Sequence, residues 1–452
     1  MRLILPITLQ NFMFALVPVS DAVMLVALDQ DAMSAVSLAT QVMFVFNLFV
    51  FALLSGLSMF AAQYWGKGDV RSIEKLLGYT TRLMLPVLAL FFSTTFFLPG
   101  SVMKIYTDDP VIIAHGIKYL RIVSISYVVD GIGQLYATVL KNTDHVKEST
   151  ILSILMVFMN IGLNAVFIYG LLGMPRMGAA GAALATTIAM SFGFVAFTVA
   201  MILRCPAKIR IGDILASDIS MRRRFSKYST PFLINQLFWG FGFTMISVIM
   251  GHLGADAVAA NAIVAVVKDL ASCFCFALGS GGAIIVGNEL GAGELRRGKE
   301  YGGKIAKLAI ISGIIMGALV AASTPLLVPN LNLTSKASEY LTQMMLMCVY
   351  YILGRSINAT VIAGIFAAGG DTRFGMICDT LTMWAFIVPV GALAAFYFKL
   401  PVLAVYFILN LDEMVKLPAV YIHYKKYKWV RNIVETGPAG YDEEDLSFAE
   451  EM

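Results

Sequence analysis

The chain has 452 residues, 59% of them hydrophobic and 14% charged, with a formal net charge of +4 and a mean hydropathy of +0.79. A water-soluble domain carries about 25% charged residues to cover its surface, so a soluble fold is excluded. Apolar stretches of about twenty residues recur along nearly the whole chain, the mark of membrane-spanning helices, and they are too long and unbroken for barrel strands.

In chain order, the first apolar run begins at Leu3 and continues to about Leu28 with no A-x-A cleavage site after it. It reads as a first transmembrane helix and not as a signal peptide. No short polar leader precedes it, which leaves room for an upstream start codon. Twelve spans are expected, at about 3–28, 32–65, 77–99, 116–140, 150–172, 179–203, 228–250, 256–287, 303–329, 340–366, 374–398 and 400–424. The second and eighth exceed a perpendicular crossing and should tilt or project. Basic residues concentrate after the even-numbered spans: Lys67, Arg71 and Lys75, then Lys141 and Lys147, then seven Lys and Arg between Arg204 and Lys227. Arg296, Arg297, Lys299 and Lys304 continue the pattern, as do Arg373 and the cluster Lys425, Lys426, Lys428 and Arg431. The positive-inside rule then puts both termini in the cytoplasm of a bacterial inner membrane. Beyond about Asn432 the chain is polar and acidic, with Glu443, Glu444, Asp445, Glu450 and Glu451, the composition of a disordered tail.

The chain also repeats itself. Shifted by 225 residues, Pro6 falls on Pro231, Asp31-Ala32 on Asp256-Ala257, and Ser55-Gly56 on Ser280-Gly281; Gly66, Gly68, Arg71 and Gly78 fall on Gly291, Gly293, Arg296 and Gly303. With two more residues of shift, Asp144 falls on Asp371. Six spans per repeat make the halves parallel, packed about a pseudo-twofold axis along the membrane normal around a central cavity. The expected organisation is an N-lobe (1–203), a basic cytoplasmic linker (204–227), a C-lobe (228–424) and a cytoplasmic tail (425–452).

An ionisable group inside a span costs at least a few kcal/mol, so each is a functional candidate. Asp21 lies well inside the first span. Asn160 and Asn164, four apart, share one face of the fifth, and Thr186 lies on the sixth. One carboxylate with several neutral oxygens suits a small hard cation, or a carboxyl that alternates its proton. Asp130, with Gln134 one turn on, and Asp379 are candidate additional proton or substrate sites. Lys268, Asp269, Arg355, Asp412, Glu413 and Lys416 also fall within spans, where they serve either interhelical pairing or the lining of a wet cavity, or a substrate or proton role. Lys268 and Asp269 are adjacent on a helix, so they do not face each other. Trp239, with Phe238 and Phe241, is a candidate lining of a polyspecific cavity. The five cysteines, Cys205, Cys273, Cys275, Cys348 and Cys378, have no disulfide or zinc spacing and read as packing residues.

Several segments together resemble one family. Ser20-Asp-Ala-Val-Met is similar to the V-D-T-x-M segment of multidrug and toxic compound extrusion (MATE) transporters. Gly287-Asn-Glu-Leu-Gly-Ala-Gly-Glu resembles their G-x-x-L-G-A-G-x motif, and Ala368-Gly-Gly-Asp-Thr-Arg their R-A-G-G-D-T turn, with Ala367 at the usual arginine. Asn160-Ile-Gly-Leu-Asn and Gly178-Ala-Ala-Gly-Ala-Ala-Leu-Ala-Thr resemble the fifth and sixth helices. The resemblance implies a twelve-helix, two-lobed, all-α exporter that exchanges inward H⁺ or Na⁺ for outward organic cations or other amphiphiles by rocking of the lobes. It also implies an N-lobe cation site at Asp21, Asn160, Asn164 and Thr186. The C-lobe departs from the NorM type: Trp239 stands at that group's helix-seven glutamate, and about Ser356 at its helix-ten aspartate, so an NorM-type ion site is not expected there.

No G-x-x-x-x-G-K-[ST] occurs, so ATP hydrolysis is not expected; Gly287 to Gly293 reads as close helix packing and a helix end. The four histidines do not cluster with carboxylates as a metal site would. A flippase for lipid-linked or polyanionic intermediates is the main alternative, and the scarcity of intramembrane Lys and Arg weighs against it. An intramembrane enzyme would need a catalytic carboxylate or His cluster at one membrane face, which is not seen. No cofactor other than a coupling ion is expected, and no nucleic acid partner; the partners are small cationic amphiphiles and the bilayer.

Overall fold

The computed structural model describes residues 3–26, 30–215, 219–331 and 333–434. In hydrocarbon the backbone must satisfy its own hydrogen bonds, and helices do so segment by segment. Eleven helices here are long and apolar enough to cross a membrane. They are α1 (Ile4–Val26), α2 (Gln30–Lys67), α3 (Val70–Phe97), α4 (Pro110–Asn142), α5 (Val146–Tyr169) and α6 (Ala179–Leu203) in the first half. The second half contributes α7 (Ile219–Gly251), α8 (Ala255–Gly291), α9 (Leu295–Leu327), α10 (Ser335–Phe366) and α11 (Thr372–Tyr397). Local chemistry sets several starts: Asp69 accepts from the Ser72 amide at 3.0 Å, Asp109 from the Val111 amide at 2.8 Å, and Thr334 from the Ala337 amide at 3.1 Å.

The twelfth expected span is not one helix. It is split into α12 (Val402–Leu409) and α13 (Asp412–Lys425), with the chain non-helical at Asn410 and Leu411. The Asn410 side chain donates to the Tyr406 carbonyl at 2.8 Å, competing with the helical ladder. Asp412 and Glu413 then occupy the first turn of α13, where carboxylates favour a fresh start. Hydropathy averaged over the stretch hides this break.

The sequence repeat reappears as reciprocal packing. A Cβ on Gly66 would lie 1.9 Å from the Asn288 carbonyl oxygen, and one on Gly291 would lie 1.9 Å from that of Gln63. Position 63 shifted by 225 is 288, and 66 shifted is 291, so α2 and α8 meet through equivalent atoms. The same holds one layer up. A Cβ on Gly56 would lie 2.0 Å from Ser229 Oγ, and one on Gly281 would lie 3.0 Å from Ile4 Cγ1. Thus α1 leans on α8 and α7 on α2, each first helix crossing to the opposite half. Only glycine permits such approach.

Apolar side chains form one large core from the end of α1 to the start of α7, joined by Ile433 and Val434 and including Phe46, Leu57, Leu76, Tyr127, Leu140 and Phe225. A second runs from the end of α7 to α12, including Ile249, Val264, Met344, Ile352 and Val405. A third gathers Ile4, Leu278, Leu290, Phe366 and Trp429.

Two expected boundaries move. α7 begins at Ile219, inside the stretch expected as linker, because its first turns are basic and polar and read as loop by hydropathy alone. The preceding piece is fastened to α3: Asp213 accepts from Arg71 at 2.6 Å, and Glu74 from Arg71 at 2.8 Å, Arg210 at 3.1 Å and the Lys208 amide at 2.8 Å. The tail expected from 425 is packed as far as Val434. Trp429 and Val434 are fully buried, and Gln63 holds the segment by donating to the Ala368 carbonyl at 2.7 Å and accepting from the Ile433 amide at 2.8 Å. Its apolar residues Trp429, Val430, Ile433 and Val434 explain the difference. The acidic stretch 435–452 lies outside the described residues.

Candidate coupling site

In the first half, α1, α5 and α6 bring four polar side chains together inside the apolar bundle. Asn164 Nδ2 donates to Asp21 Oδ1 at 2.5 Å and to Asn160 Oδ1 at 3.2 Å, and Asn160 Nδ2 donates to Thr186 Oγ1 at 3.3 Å. The result is one continuous chain, Asp21–Asn164–Asn160–Thr186. The i, i+4 spacing of the asparagines puts both amides on one face of α5, and the close packing of α5 on α1 and α6 holds that face between them. Asn164 is fully buried and Asn160 nearly so, while Asp21 and Thr186 are half-buried. A fully buried Asn164 Oδ1 has no hydrogen-bond donor. No basic side chain pairs with Asp21 among the described residues.

Chemically, this is a carboxylate in a low-dielectric setting with neutral oxygens beside it and no built-in counter-charge. Such a carboxylate must take up a positive charge or a proton, because isolated charge is costly there. The orphaned Asn164 oxygen adds an acceptor facing the same need. These are the donor types that a monovalent hard cation takes, and they would equally serve a carboxyl that gains and loses a proton.

The other candidates lie apart from this chain. Asp130 is buried on α4 and, among the described residues, accepts from Gln134 Nε2 alone, at 2.6 Å one turn on. Asp379, on α11, belongs to a second cluster: it accepts from Lys416 at 2.9 Å and from Asn235 at 3.0 Å. Lys416 also reaches Glu413 at 3.1 Å, and Glu413 accepts from Arg355 at 2.7 Å and Asn358 at 2.8 Å. The Arg355 guanidinium lies 4.8 Å from the Phe276 ring centre and 5.7 Å from that of Trp239. Trp239 is therefore a platform for Arg355, stacked on Phe243 at 5.7 Å. Lys268 donates to Asn410 Oδ1 at the α12–α13 break and sits 3.7 Å above the Tyr351 ring. Lys268 and Asp269 make no ion pair with each other, as adjacency on a helix requires. Reasoning from sequence did not find Asn235 and Asn358, the neutral members of the cluster; polar residues on different spans give no signal of which carboxylate they meet.

The repeat-related aspartates Asp144 and Asp371 act as ties at the end of the bundle. Trp65 Nε1 donates to Asp144 at 3.0 Å, and His423 Nε2 lies 2.6 Å from Asp371. His423 thus faces a single carboxylate, and among the described residues no three His, Cys, Asp or Glu side chains gather as metal ligands.

Comparison with known proteins follows the same two-part layout. The family model MatE matches residues 6–166 and 231–393, two stretches that begin 225 residues apart. The chain is similar to the uncharacterized transporter YisQ of Bacillus subtilis (20% identity, 94% of this chain and 93% of that one). It is also similar to the probable multidrug resistance protein YoeA of the same organism (24%, 90% and 89%) and the probable multidrug resistance protein NorM of Thermotoga maritima (22%, 96% and 93%). Among solved structures, a multidrug resistance MATE family transporter in an outward-facing conformation superimposes with a TM-score of 0.82 at 14% identity, covering 94% of each chain. A MOP superfamily transporter from Pyrococcus furiosus, described as having a binding pocket of reverse polarity, gives 0.85 at 15% identity over 96% of each chain. At such identities these structures support the fold and nothing finer.

Proposed function

The chain belongs to the MatE family, and on that premise we propose that it is a secondary active exporter of small amphiphilic, mainly cationic molecules, driven by antiport of H⁺ or Na⁺. The observation that carries the proposal is the uncompensated Asp21 at the end of the Asn164–Asn160–Thr186 chain. A proton or Na⁺ on Asp21 removes the charge and stabilises one packing of α1, α5 and α6. The ionised carboxylate stabilises another. If substrate binds better to the second arrangement, ion and substrate oppose each other through a shared equilibrium, which is the thermodynamic content of antiport. The two-lobed, parallel-repeat build suits alternating access around a cavity between the halves. In this reading the protein lies in a bacterial inner membrane with both termini cytoplasmic, and uses no ATP.

A second reading, a flippase or exporter of a lipid-linked or specific metabolite, draws on Lys268, Arg355 and Lys416 within the spans. It ranks behind the first because Asp379, Asp412 and Glu413 are placed with them and leave no excess of positive charge. The test is efflux of a fluorescent cation such as ethidium from proteoliposomes under an imposed proton gradient, then under an imposed sodium gradient. Acceleration by one of them supports antiport and names the ion. Efflux indifferent to both would sink it.

A further inference from the structure

One charge in the second half is not absorbed by its network. Lys268, Arg355 and Lys416 are three cations; Asp379, Asp412 and Glu413 are three carboxylates. Arg355 is committed to Glu413, Lys416 to Asp379 and Glu413, and Lys268 to Asn410 and the face of Tyr351. Asp269 is the seventh charged group. It is exposed, and it makes no ion pair within 4 Å among the described residues. Arg355 and Lys268 are near enough for it to feel their charge. Counted as formal charges, three against three leaves the Asp269 carboxylate over.

Its place makes this informative. Asp269 lies fourteen residues into α8, about 21 Å along the axis from Ala255 at 1.5 Å per residue, so it is deep in the membrane-spanning part of the helix. A carboxylate at that depth is not tolerated against lipid and must face water. Cys273, one turn on, touches α1: Asn11 Nδ2 donates to the Cys273 carbonyl at 3.4 Å, and Cys273 Sγ donates to the Asn11 carbonyl at 3.5 Å. Phe276, a further turn along the same stripe, is 41% exposed, with Arg355 stacked on the ring. The stripe Asp269–Cys273–Phe276 therefore runs beside α1, the helix that also carries Asp21, and presents a carboxylate next to an aromatic surface.

We propose that Asp269 is the subsite that takes the positive group of the transported molecule, with Phe276 as the apolar wall beside it. This rests on the exporter reading above and assigns its cation recognition to the second half, away from the coupling chain at Asp21. The residue 225 positions earlier is Phe44, so the first half has no counterpart.

The probe is a pair of ions of the same shape and opposite permanent charge, tetraphenylphosphonium and tetraphenylborate, titrated onto the purified full-length protein in lipid nanodiscs. Wild type should prefer tetraphenylphosphonium. Asp269→Asn, which keeps the size of the side chain, should weaken that cation by about tenfold or more and leave tetraphenylborate unchanged or tighter, whereas Asp269→Glu should retain the preference. Undiminished tetraphenylphosphonium binding in Asp269→Asn overturns the proposal, and so does equal weakening of both ions, which would mark a merely structural role. Should Asp269→Asn not fold, the wild type and Asp269→Glu decide: preference for the anion in either overturns it. If wild type binds no tetraphenylphosphonium, the cation-exporter reading itself fails along with this subsite.

Discussion

The two halves share a backbone plan and differ in how they handle charge. Where α2 and α8 meet, the halves are interchangeable, for a Cβ on Gly66 would lie as close to the Asn288 carbonyl oxygen as one on Gly291 to that of Gln63, 1.9 Å in each case. In their interiors they are opposites. The first half holds Asp21 among neutral amides and a hydroxyl, and Asp130 beside Gln134, with no basic side chain paired to either among the described residues. The second holds a lattice of ionised groups that brings its own counter-charges, Arg355 and Lys416 on Glu413, and Lys416 on Asp379. Pseudo-symmetry preserves how helices pack, while the placement of charge is free to differ between the halves.

The comparison breaks most readily at Glu413. It is fully buried and holds Arg355, Lys416 and Asn358, so Glu413→Ala leaves two buried cations short of a partner. Thermal unfolding in detergent should show a loss of about 3–5 kcal/mol; a loss below about 1 kcal/mol, the worth of an exposed pair, would mean the cluster is wet and loose. In the first half, Asn164→Ala removes the donor to Asp21 and should cost about 1.5–3 kcal/mol. The readout is the ion concentration for half-maximal transport, which should move by roughly tenfold to a hundredfold; an unmoved value would detach Asn164 from the coupling chain.

The shared part of the plan is sharpened by twin substitutions. Gly66→Ala and Gly291→Ala should each destabilise by about 1–3 kcal/mol through overpacking and agree within about 0.5 kcal/mol. Unequal values would show that the two contacts are not mechanically equivalent. The smallest effect is expected at Asp130. Among the described residues its hydrogen-bond partner is Gln134 on its own helix, so Asp130→Asn should leave gradient-driven efflux in place, and loss of efflux would give it a proton-carrying role beside Asp21.

Much of the hydrogen-bonded chain Asp21–Asn164–Asn160–Thr186 could be read from sequence because its members are conspicuous there. Asn160 and Asn164 interrupt an apolar stretch at helical spacing, and Asp21 stands where a charge is expensive. The recurrence of glycines at a fixed 225-residue shift was legible as well, but not that these glycines press α2 and α8 against each other. The break at Asn410 and the pairing of Asp379 with Asn235 and Lys416 were not legible. A break depends on one side chain out-competing a ladder bond, and cross-helix pairs depend on rotations that no single span records. Lysines dominate the composition of the segment after Lys425 and make it read as a tail, while Trp429 and Val434 decide its packing.

The central claim is that Asp21 is the group on which the driving ion acts. Its most direct test is ethidium efflux from proteoliposomes containing wild type or Asp21→Asn, under a proton gradient and a sodium gradient imposed separately. The account predicts that one gradient accelerates wild-type efflux and neither accelerates the variant, although the variant folds. Gradient-driven efflux at the wild-type rate in Asp21→Asn would contradict it and move the coupling elsewhere in the chain.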